Sequence, residues 1–308
     1  MRPQDSDNLA ATVLKRPAAQ AAQHRTGGVP PKLGRYVIER EIGRGAMAVV
    51  YLGRDPQINR VVAVKALPLA REFGDEELDE ARRRFFREAE SAGRLNHPGI
   101  VTVYDAGEDQ GLAYIAMEYL SGLPLSEFTD SSTLLPPSVV TELIARVAEA
   151  LAHAHRLSVI HRDIKPANIV YDGDTDGLKI TDFGIARLTD SGTTKTGIVL
   201  GTPSFMSPEQ LEGRNVHGTT DLFSLGVSLY QLLCGQLPFR ADSMTGLMFK
   251  ITNEQPPPLR SVRPDLPGLL EAIVNRSMQK HSGDRFQVGT EMATALRNCS
   301  RLLQAQGL

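Results

Sequence analysis

The chain has 308 residues, with 34 Lys plus Arg against 36 Asp plus Glu and a formal net charge of -2. This length suffices for about two domains, and the balanced charge argues against a nucleic-acid-binding protein or an acidic disordered chain. The two cysteines, Cys234 and Cys299, are isolated in sequence, which predicts a reducing compartment without disulfides or a zinc site. We find no membrane-spanning apolar run and no secretory signal, and therefore expect a soluble, cytoplasmic protein.

The N-terminal stretch, residues 1–34, is rich in Ala, Gln, Pro and Arg and contains no aromatic residue. A segment of this composition buries too little apolar surface to fold. We therefore predict a disordered arm over 1–34, with regular structure beginning at Tyr36.

A glycine-containing stretch follows, in which Gly43 and Gly45 flank Arg44. Glycines let the backbone approach a phosphate closely. A dinucleotide fingerprint would open a helix after its glycines, whereas Val49-Val50-Tyr51-Leu52 has the composition of a strand. The sequence thus predicts a hairpin whose turn covers a nucleotide, and it excludes a nucleotide-binding oxidoreductase.

Lys65 lies in the apolar strand predicted over residues 60–67. If this lysine is functional, it needs a carboxylate partner. A helix predicted from Gly74 to Leu95 has a carboxylate, Glu88, within an otherwise apolar stripe. Such breaks in a pattern are often paired or functional, so we propose that Glu88 pairs with Lys65. The alternatives stay open: Lys65 could extend to solvent at a sheet edge, and Glu88 could lie at the solvent-exposed edge of the stripe. The stripe comprises Ala81, Phe85, Glu88, Ala92 and Leu95.

The composition changes from β-rich to helical after two further predicted strands at residues 101–104 and 113–120. Long helical patterns follow at Pro137–Leu157 and beyond Glu209. We predict a small β-rich lobe over 35–120, a larger α-helical lobe over 121–303 with a cleft between the two, and a tail over 304–308.

A polar loop at residues 161–168 lies between two runs of strand character, 158–160 and 169–171. Asp163 could accept a proton from a hydroxyl, Lys165 could neutralise a phosphate, and Asn168 could hold a metal through its amide oxygen. Asp182, at the end of another short strand, is a second candidate metal ligand. Loops on rigid scaffolds often carry chemistry, although this segment alone could be a charged surface turn.

These motifs, in this order, resemble those of the eukaryotic-type protein kinases, most closely the Ser/Thr kinases of bacteria, over about residues 36–303. The resemblance implies an α+β, bilobal protein-kinase-like fold and transfer of the γ-phosphate of ATP to protein Ser/Thr hydroxyls. It also implies Mg²⁺ as cofactor, with Mn²⁺ as a substitute. The matching elements are the Gly43–Val50 loop, Val62–Lys65, Glu88, His161–Asp163, Asn168, Asp182–Gly184, Ser207–Glu209, Asp221 and Arg285.

Site roles follow from this resemblance. Lys65, held by Glu88, contacts the ATP phosphates; Asp163 is the catalytic base; and Lys165 marks the Ser/Thr class. Asn168 and Asp182 hold the metal, with Met117 at the back of the adenine pocket. ATP binding is assigned to Ile42, Gly43, Arg44, Gly45, Ala46, Met47, Ala48, Val49, Val50, Ala63, Lys65, Glu118, Leu120 and Val170.

The resemblance also carries expectations about regulation and support. Thr194 and Thr196 fall where relatives carry activating phosphosites modified by autophosphorylation, although they could simply be loop residues. Asp221 is expected to anchor the polar loop at residues 161–168, which is the catalytic loop of the family, and Glu209 is expected to pair with Arg285. The implied partners are protein substrates and a homodimer formed through the small lobe.

Two departures from the family pattern are Ala48, in place of a third glycine, and Ser207, in place of alanine before Pro208. Both are small residues and neither contacts the transferred charge, so we expect neither to impair catalysis. The competing hypotheses are a non-catalytic kinase-like scaffold and a small-molecule kinase. The first predicts loss of Lys65, Asp163 or Asp182, which are all present, and the long Thr-rich segment argues against the second.

Overall fold

The structure is a computed structural model that describes residues 30–45, 48–183 and 203–307. It contains two compact units. The first comprises the chain up to Asn96 with Val101–Gly122 and Asp172–Gly177; the second comprises His97–Ile100, Leu123–Tyr171 and the chain from Leu178 onward. The first is built on a β-sheet and the second is mainly helical, which confirms the predicted α+β class.

An antiparallel six-stranded sheet with the order β1-β2-β3-β4-β6-β5 forms the first unit. Its inner face buries Tyr36, Val62, Val64 and Ala116 completely. The strands are β1 (Lys32–Leu33), β2 (Tyr36–Arg44), β3 (Val49–Asp55), β4 (Arg60–Leu67), β5 (Val103–Asp109) and β6 (Leu112–Glu118).

Strand β1 lies within the stretch that we assigned to the disordered arm. Leu33 is fully buried in the sheet core, and the Gly34 N–H donates to Asp109 Oδ2 at 2.8 Å. Regular structure therefore begins at Lys32 rather than Tyr36. The prediction at this end was wrong because one buried leucine and a two-residue pairing to β2 are too short to produce a periodic pattern.

Two helices complete the first unit, α1 (Leu69–Glu72) and α2 (Asp75–Gly93). Helix α2 packs on β5 and β6, and Arg82 Nη2 lies 2.7 Å from Glu108 Oε1 of β5. The predicted stripe is the buried face, since Ala81, Phe85, Ala92 and Leu95 are buried, with Glu88 half-buried among them.

The second unit is organised around a buried helix, α5, whose central residues Leu222 to Leu229 are almost completely buried. It ends at Gly235, in a left-handed conformation with φ of 69°. The helices of this unit are α3 (Pro137–Arg156), α4 (Pro208–Leu211), α5 (Gly218–Cys234), α6 (Met244–Asn253), α7 (Leu259–Val262), α8 (Gly268–Ser277) and α9 (Gly289–Gln306).

Helix α3 packs on both α5 and α9. The contact with α9 is close, because a Cβ on Gly289 would lie 2.1 Å from the carbonyl oxygen of Ala148. Only glycine fits at this position without moving one of the two backbones.

A small sheet of three strands in the order β7-β8-β9 flanks the polar loop. Strand β8 forms where we predicted it, whereas the run 158–160 is not a strand. Ser158 has a φ of 61° and the Val159 N–H donates to Ala154 O, so this run is a turn that ends α3. The strands are β7 (Leu123–Pro124), β8 (Ile169–Asp172) and β9 (Gly177–Ile180).

Within the described residues, no helix has both the length and the apolar character that a bilayer span requires.

Candidate active site

A side chain of α5 holds the backbone of the polar loop at residues 161–168. Asp221 Oδ2 accepts the His161 N–H at 2.9 Å, and Asp221 Oδ1 accepts the Arg162 N–H at 2.7 Å. Complete burial opposes ionisation of Asp221, but the hydrogen bond from His155 and the nearby loop keep the pKa of this carboxyl below its ordinary value. The buried carboxylate therefore fixes two consecutive peptide groups, which confirms the predicted anchor.

The imidazole of His161 links the loop to the end of β9. Its Nε2 lies 2.7 Å from the carbonyl oxygen of Thr181, and its Nδ1 accepts the Asp163 N–H at 3.2 Å. A carbonyl can only accept and an N–H can only donate, so His161 must be the neutral tautomer with hydrogen on Nε2. The ring also packs edge-to-face on Phe183, with centroids 4.6 Å apart.

The three candidate groups of the loop meet at one carboxylate. Lys165 Nζ donates to Asp163 Oδ2 at 2.7 Å. Asn168 Nδ2 donates to Asp163 Oδ2 at 3.0 Å and to the Asp163 carbonyl at 2.7 Å. The Asp163 side chain is 31% exposed, so a carboxylate oriented by two donors remains accessible to an incoming group.

Two residues of this region adopt the left-handed backbone conformation that side chains disfavour. Arg162 has a φ of 70° and Asp182 a φ of 64°. Such strain costs about 1–3 kcal/mol at each residue and clusters at functional sites, where surrounding bonds enforce it. Here the strained residues are the one preceding Asp163 and the second candidate metal ligand.

The donor set fits Mg²⁺ held together with a nucleotide. Both donors of the Asn168 amide are directed at Asp163, which turns its oxygen away from that residue. An amide oxygen and the Asp182 carboxylate are hard ligands of the kind Mg²⁺ prefers, with phosphates and water completing the octahedron. Among the described residues, no group of three or more His, Cys, Asp or Glu side chains could hold a metal.

The candidate adenine-binding residues of the first unit form one apolar cluster. Ala63 and Met117 are buried there, and Ile42, Val50 and Leu120 pack against them. Val101 is a buried member that we did not identify from sequence, because its place in the pattern is that of an ordinary strand residue. Val170 lies half-buried on β8, opposite Pro124 of β7.

The glycine stretch forms the predicted hairpin. Gly43 pairs with Val50 and Arg44 with Val49, and the Gly45 N–H donates to Ala48 O at 2.8 Å across the turn. The Glu118 N–H donates to Thr102 O at 2.9 Å where β6 ends.

Lys65 is half-buried on β4, opposite Ile115 of β6, while Glu88 is half-buried on α2. The pairing of Lys65 with Glu88 stays a prediction. Further predicted residues lie outside the described part of the chain: Ala46, Met47, Gly184, Thr194 and Thr196.

A buried ion pair joins the start of α4 to the segment that precedes α9. Arg285 donates from Nη1 to Glu209 Oε1 at 2.7 Å and from Nη2 to Oε2 at 2.8 Å, and Thr220 Oγ1 donates to Glu209 Oε1 at 2.7 Å. Burial opposes ionisation of Glu209, but the guanidinium outweighs it and lowers the pKa to about 2. The predicted pair is thus confirmed.

Sequence reasoning missed two residues around the loop. His155 donates to Asp221 Oδ2 at 2.7 Å, and Gln210 Nε2 donates to the Arg162 carbonyl at 2.8 Å. His155 has no sequence signal beyond its place in the last turn of α3. Gln210 has one, because Ser207 three residues before it completes the spacing of a capping box.

Comparison with known proteins agrees with this geometry. The sequence-family model of the protein kinase domain matches residues 36–288. Serine/threonine-protein kinase PrkC of Bacillus subtilis is 38% identical over 265 residues, 86% of this chain and 40% of the relative. Serine/threonine-protein kinase PknB of Mycobacterium tuberculosis is 39% identical over 271 residues, 85% of this chain and 42% of the relative.

The crystal structure of the PknI kinase domain of Mycobacterium tuberculosis is also similar. It has a TM-score of 0.70 and 32% sequence identity, over 87% of this chain and 97% of that one. The chain spans less than half the length of the curated relatives described above. The chain therefore belongs to the protein kinase family, in its bacterial serine/threonine branch.

Proposed function

We propose that this protein transfers the γ-phosphoryl group of ATP to serine and threonine hydroxyls of proteins. The observation that carries the proposal is the loop carboxylate of Asp163, which is oriented by Lys165 and Asn168 and remains partly exposed. Membership of the protein kinase family and similarity to serine/threonine-protein kinases support the same activity.

In this reaction the hydroxyl oxygen of the substrate forms a bond to the γ-phosphorus. The bond from that phosphorus to the β,γ-bridging oxygen breaks, ADP leaves, and the hydroxyl proton passes to Asp163. Asp163 also orients the hydroxyl, since positioning and charge stabilisation supply most of the catalysis in phosphoryl transfer.

Charge neutralisation falls to the groups around Asp163. Lys165 carries an ammonium 2.7 Å from Asp163 Oδ2, where it could contact the transferred phosphoryl group. Mg²⁺, held by Asn168 and Asp182, would neutralise phosphate charge when bound. We assign Lys65, held by Glu88, to the α- and β-phosphates.

The nucleotide base is assigned to the apolar cluster of the first unit. Ala63, Val50 and Met117 offer the mostly apolar surface that such pockets need. Val170 is proposed for the opposite face of the adenine.

The test is transfer of labelled phosphate from ATP to a generic basic protein. We expect transfer by the wild type, loss of about a thousandfold or more in Asp163→Asn, and no change in Asp174→Asn, which alters an exposed carboxylate of the β8–β9 turn. ATP binding without transfer by the wild type would instead support the scaffold, and transfer to small molecules alone would support the small-molecule kinase.

We also propose that Thr194 and Thr196 are autophosphorylated. A phosphate adds about 1.5 to 2 negative charges and pairs well with arginine, and Arg162 precedes Asp163 directly. Mass spectrometry after incubation with Mg-ATP tests this, with Asp163→Asn as control. Absence of phosphate from both threonines in active protein would refute it.

A homodimer through the first unit remains a proposal as well. Val37 and Val61 are both paired with Arg54 of β3, and together with Ile58 they are exposed apolar side chains. Sedimentation velocity should give a dimer for the wild type and a monomer for Ile58→Asp. A wild type that is monomeric at micromolar concentration would contradict this.

We place the protein in the cytoplasm, where its nucleotide substrate is found. Cys234 and Cys299 are both free thiols, as expected in a reducing compartment.

A further inference from the structure

Helix α4 begins with a reciprocal cap formed by Ser207 and Gln210. Ser207 Oγ accepts the Gln210 N–H at 3.4 Å, and Gln210 Oε1 accepts the Ser207 N–H at 3.0 Å. Ser207 is fully buried. This serine was one of the two departures from the family pattern, and the cap gives it a structural role.

The other end of the Gln210 amide leaves the helix. Gln210 Nε2 donates to the carbonyl oxygen of Arg162 at 2.8 Å. The orientation of the amide is unambiguous, because the Ser207 N–H can only donate and the Arg162 carbonyl can only accept. Gln210 therefore uses its oxygen for its own helix and its nitrogen for the catalytic loop.

Arg162 is thus held at both of its peptide groups. Its N–H donates to Asp221 at 2.7 Å, and its carbonyl accepts from Gln210 at 2.8 Å. The residue between these two bonds has the strained φ of 70°. The carbonyl that Gln210 holds belongs to the peptide that carries the N–H of Asp163, so its tilt sets the direction in which the Asp163 side chain leaves the backbone.

Helix α5 also links the catalytic loop to α4 and to the segment that precedes it. Thr220 bonds Glu209, Asp221 bonds Arg162, and Ser224 Oγ donates to the carbonyl oxygen of Phe205 at 2.7 Å. Residues on successive turns of one helix therefore hold both the catalytic loop and the segment that leads into α4. Gln210 adds a direct hydrogen bond between those two segments.

We propose that Gln210 is a positioning residue for phosphoryl transfer, coupling the start of α4 to the orientation of Asp163 through the Arg162 carbonyl. The inference rests on the proposed kinase activity. It predicts that the Gln210 amide nitrogen matters for turnover, whereas the Ser207 cap matters for stability alone.

Three variants separate positioning from capping. Gln210→Glu keeps an oxygen for the Ser207 N–H but puts a carboxylate oxygen against the Arg162 carbonyl. Gln210→Met keeps the length of the side chain and removes both bonds. Ser207→Ala removes the side-chain cap and leaves the bond to Arg162 intact.

The experiment measures kcat, the KM for ATP and the melting temperature of each variant with one protein substrate. We expect kcat to fall about tenfold or more in both Gln210 variants, because a displacement of about 1 Å can cost about a hundredfold. The KM for ATP should stay within about twofold, since no Gln210 contact lies among the proposed ATP-binding groups. Ser207→Ala should keep kcat within about twofold and lower only the melting temperature.

Other outcomes overturn the inference. One is a kcat of Gln210→Glu equal to that of the wild type, and another is a loss of kcat in Ser207→Ala as large as that in the Gln210 variants. A third is failure of both Gln210 variants to fold, since a positioning role requires that the fold persist. A wild type without kinase activity would instead refute the proposed function, so the two failures are distinguishable.

Discussion

Breaking the buried ion pair between Glu209 and Arg285 should destabilise the second unit strongly. Their side chains are 7% and 0% exposed, and they share two hydrogen bonds of 2.7 and 2.8 Å. In Arg285→Met the Glu209 carboxylate stays buried and keeps only Thr220 among these partners. Removal of one member of such a pair typically costs about 3–5 kcal/mol.

The pKa of Glu209 gives a magnitude of similar size for the same pairing. Its folded value of about 2 lies below the ordinary 4.5. At about 1.4 kcal/mol for each pH unit, this difference corresponds to about 3 kcal/mol of stability. Because the folded-state pKa is the lower one, this contribution is fully present above pH 4.5 and is lost as the pH falls toward about 2.

Urea denaturation measures both effects. Unfolding is monitored by far-ultraviolet circular dichroism rather than by tryptophan fluorescence, because the chain contains no tryptophan. We expect Arg285→Met to lose about 3–5 kcal/mol at pH 7, and Glu209→Gln to lose less stability than the wild type as the pH falls below 4.5. The double variant Glu209→Met with Arg285→Met should recover stability relative to Arg285→Met, because no charge is left buried. A loss under about 1 kcal/mol, or the same acid dependence in wild type and Glu209→Gln, would refute the reasoning.

Three further outcomes are expected. Asp221→Asn keeps one acceptor for the loop and should lower kcat about tenfold in steady-state assays; an unchanged kcat would contradict the anchor. Gly289→Ala should cost about 1–3 kcal/mol in urea melts, because its Cβ would lie 2.1 Å from Ala148 O, whereas Gly268→Ala has open space and should cost nothing; equal effects would contradict the close approach. Excess EDTA should abolish phosphoryl transfer and added Mg²⁺ should restore it; transfer that persists in EDTA would contradict the assigned metal.

The sequence predicted an element best where a long helical periodicity marks it. The buried stripe on α2 follows from such a periodicity. The strand predicted at 158–160 was wrong because a short β-branched run after a helix can also be a turn, and only a partner strand decides.

Contacts of the catalytic loop were predictable only where the family pattern names them. The anchor at Asp221 and the pair of Glu209 with Arg285 were predicted from the resemblance. The tautomer of His161 and the bond from Gln210 depend on which carbonyls come within about 3 Å, and tertiary packing alone determines that.

We propose that this chain is an active phosphotransferase that depends on Lys65 of β4. Incubation of purified protein with γ-labelled ATP and Mg²⁺, for wild type, Lys65→Met and the exposed control Lys32→Met, tests it most directly. We expect label on protein serine and threonine for wild type and Lys32→Met, and none for Lys65→Met. Equal labelling by Lys65→Met, or no labelling by the wild type, would contradict it.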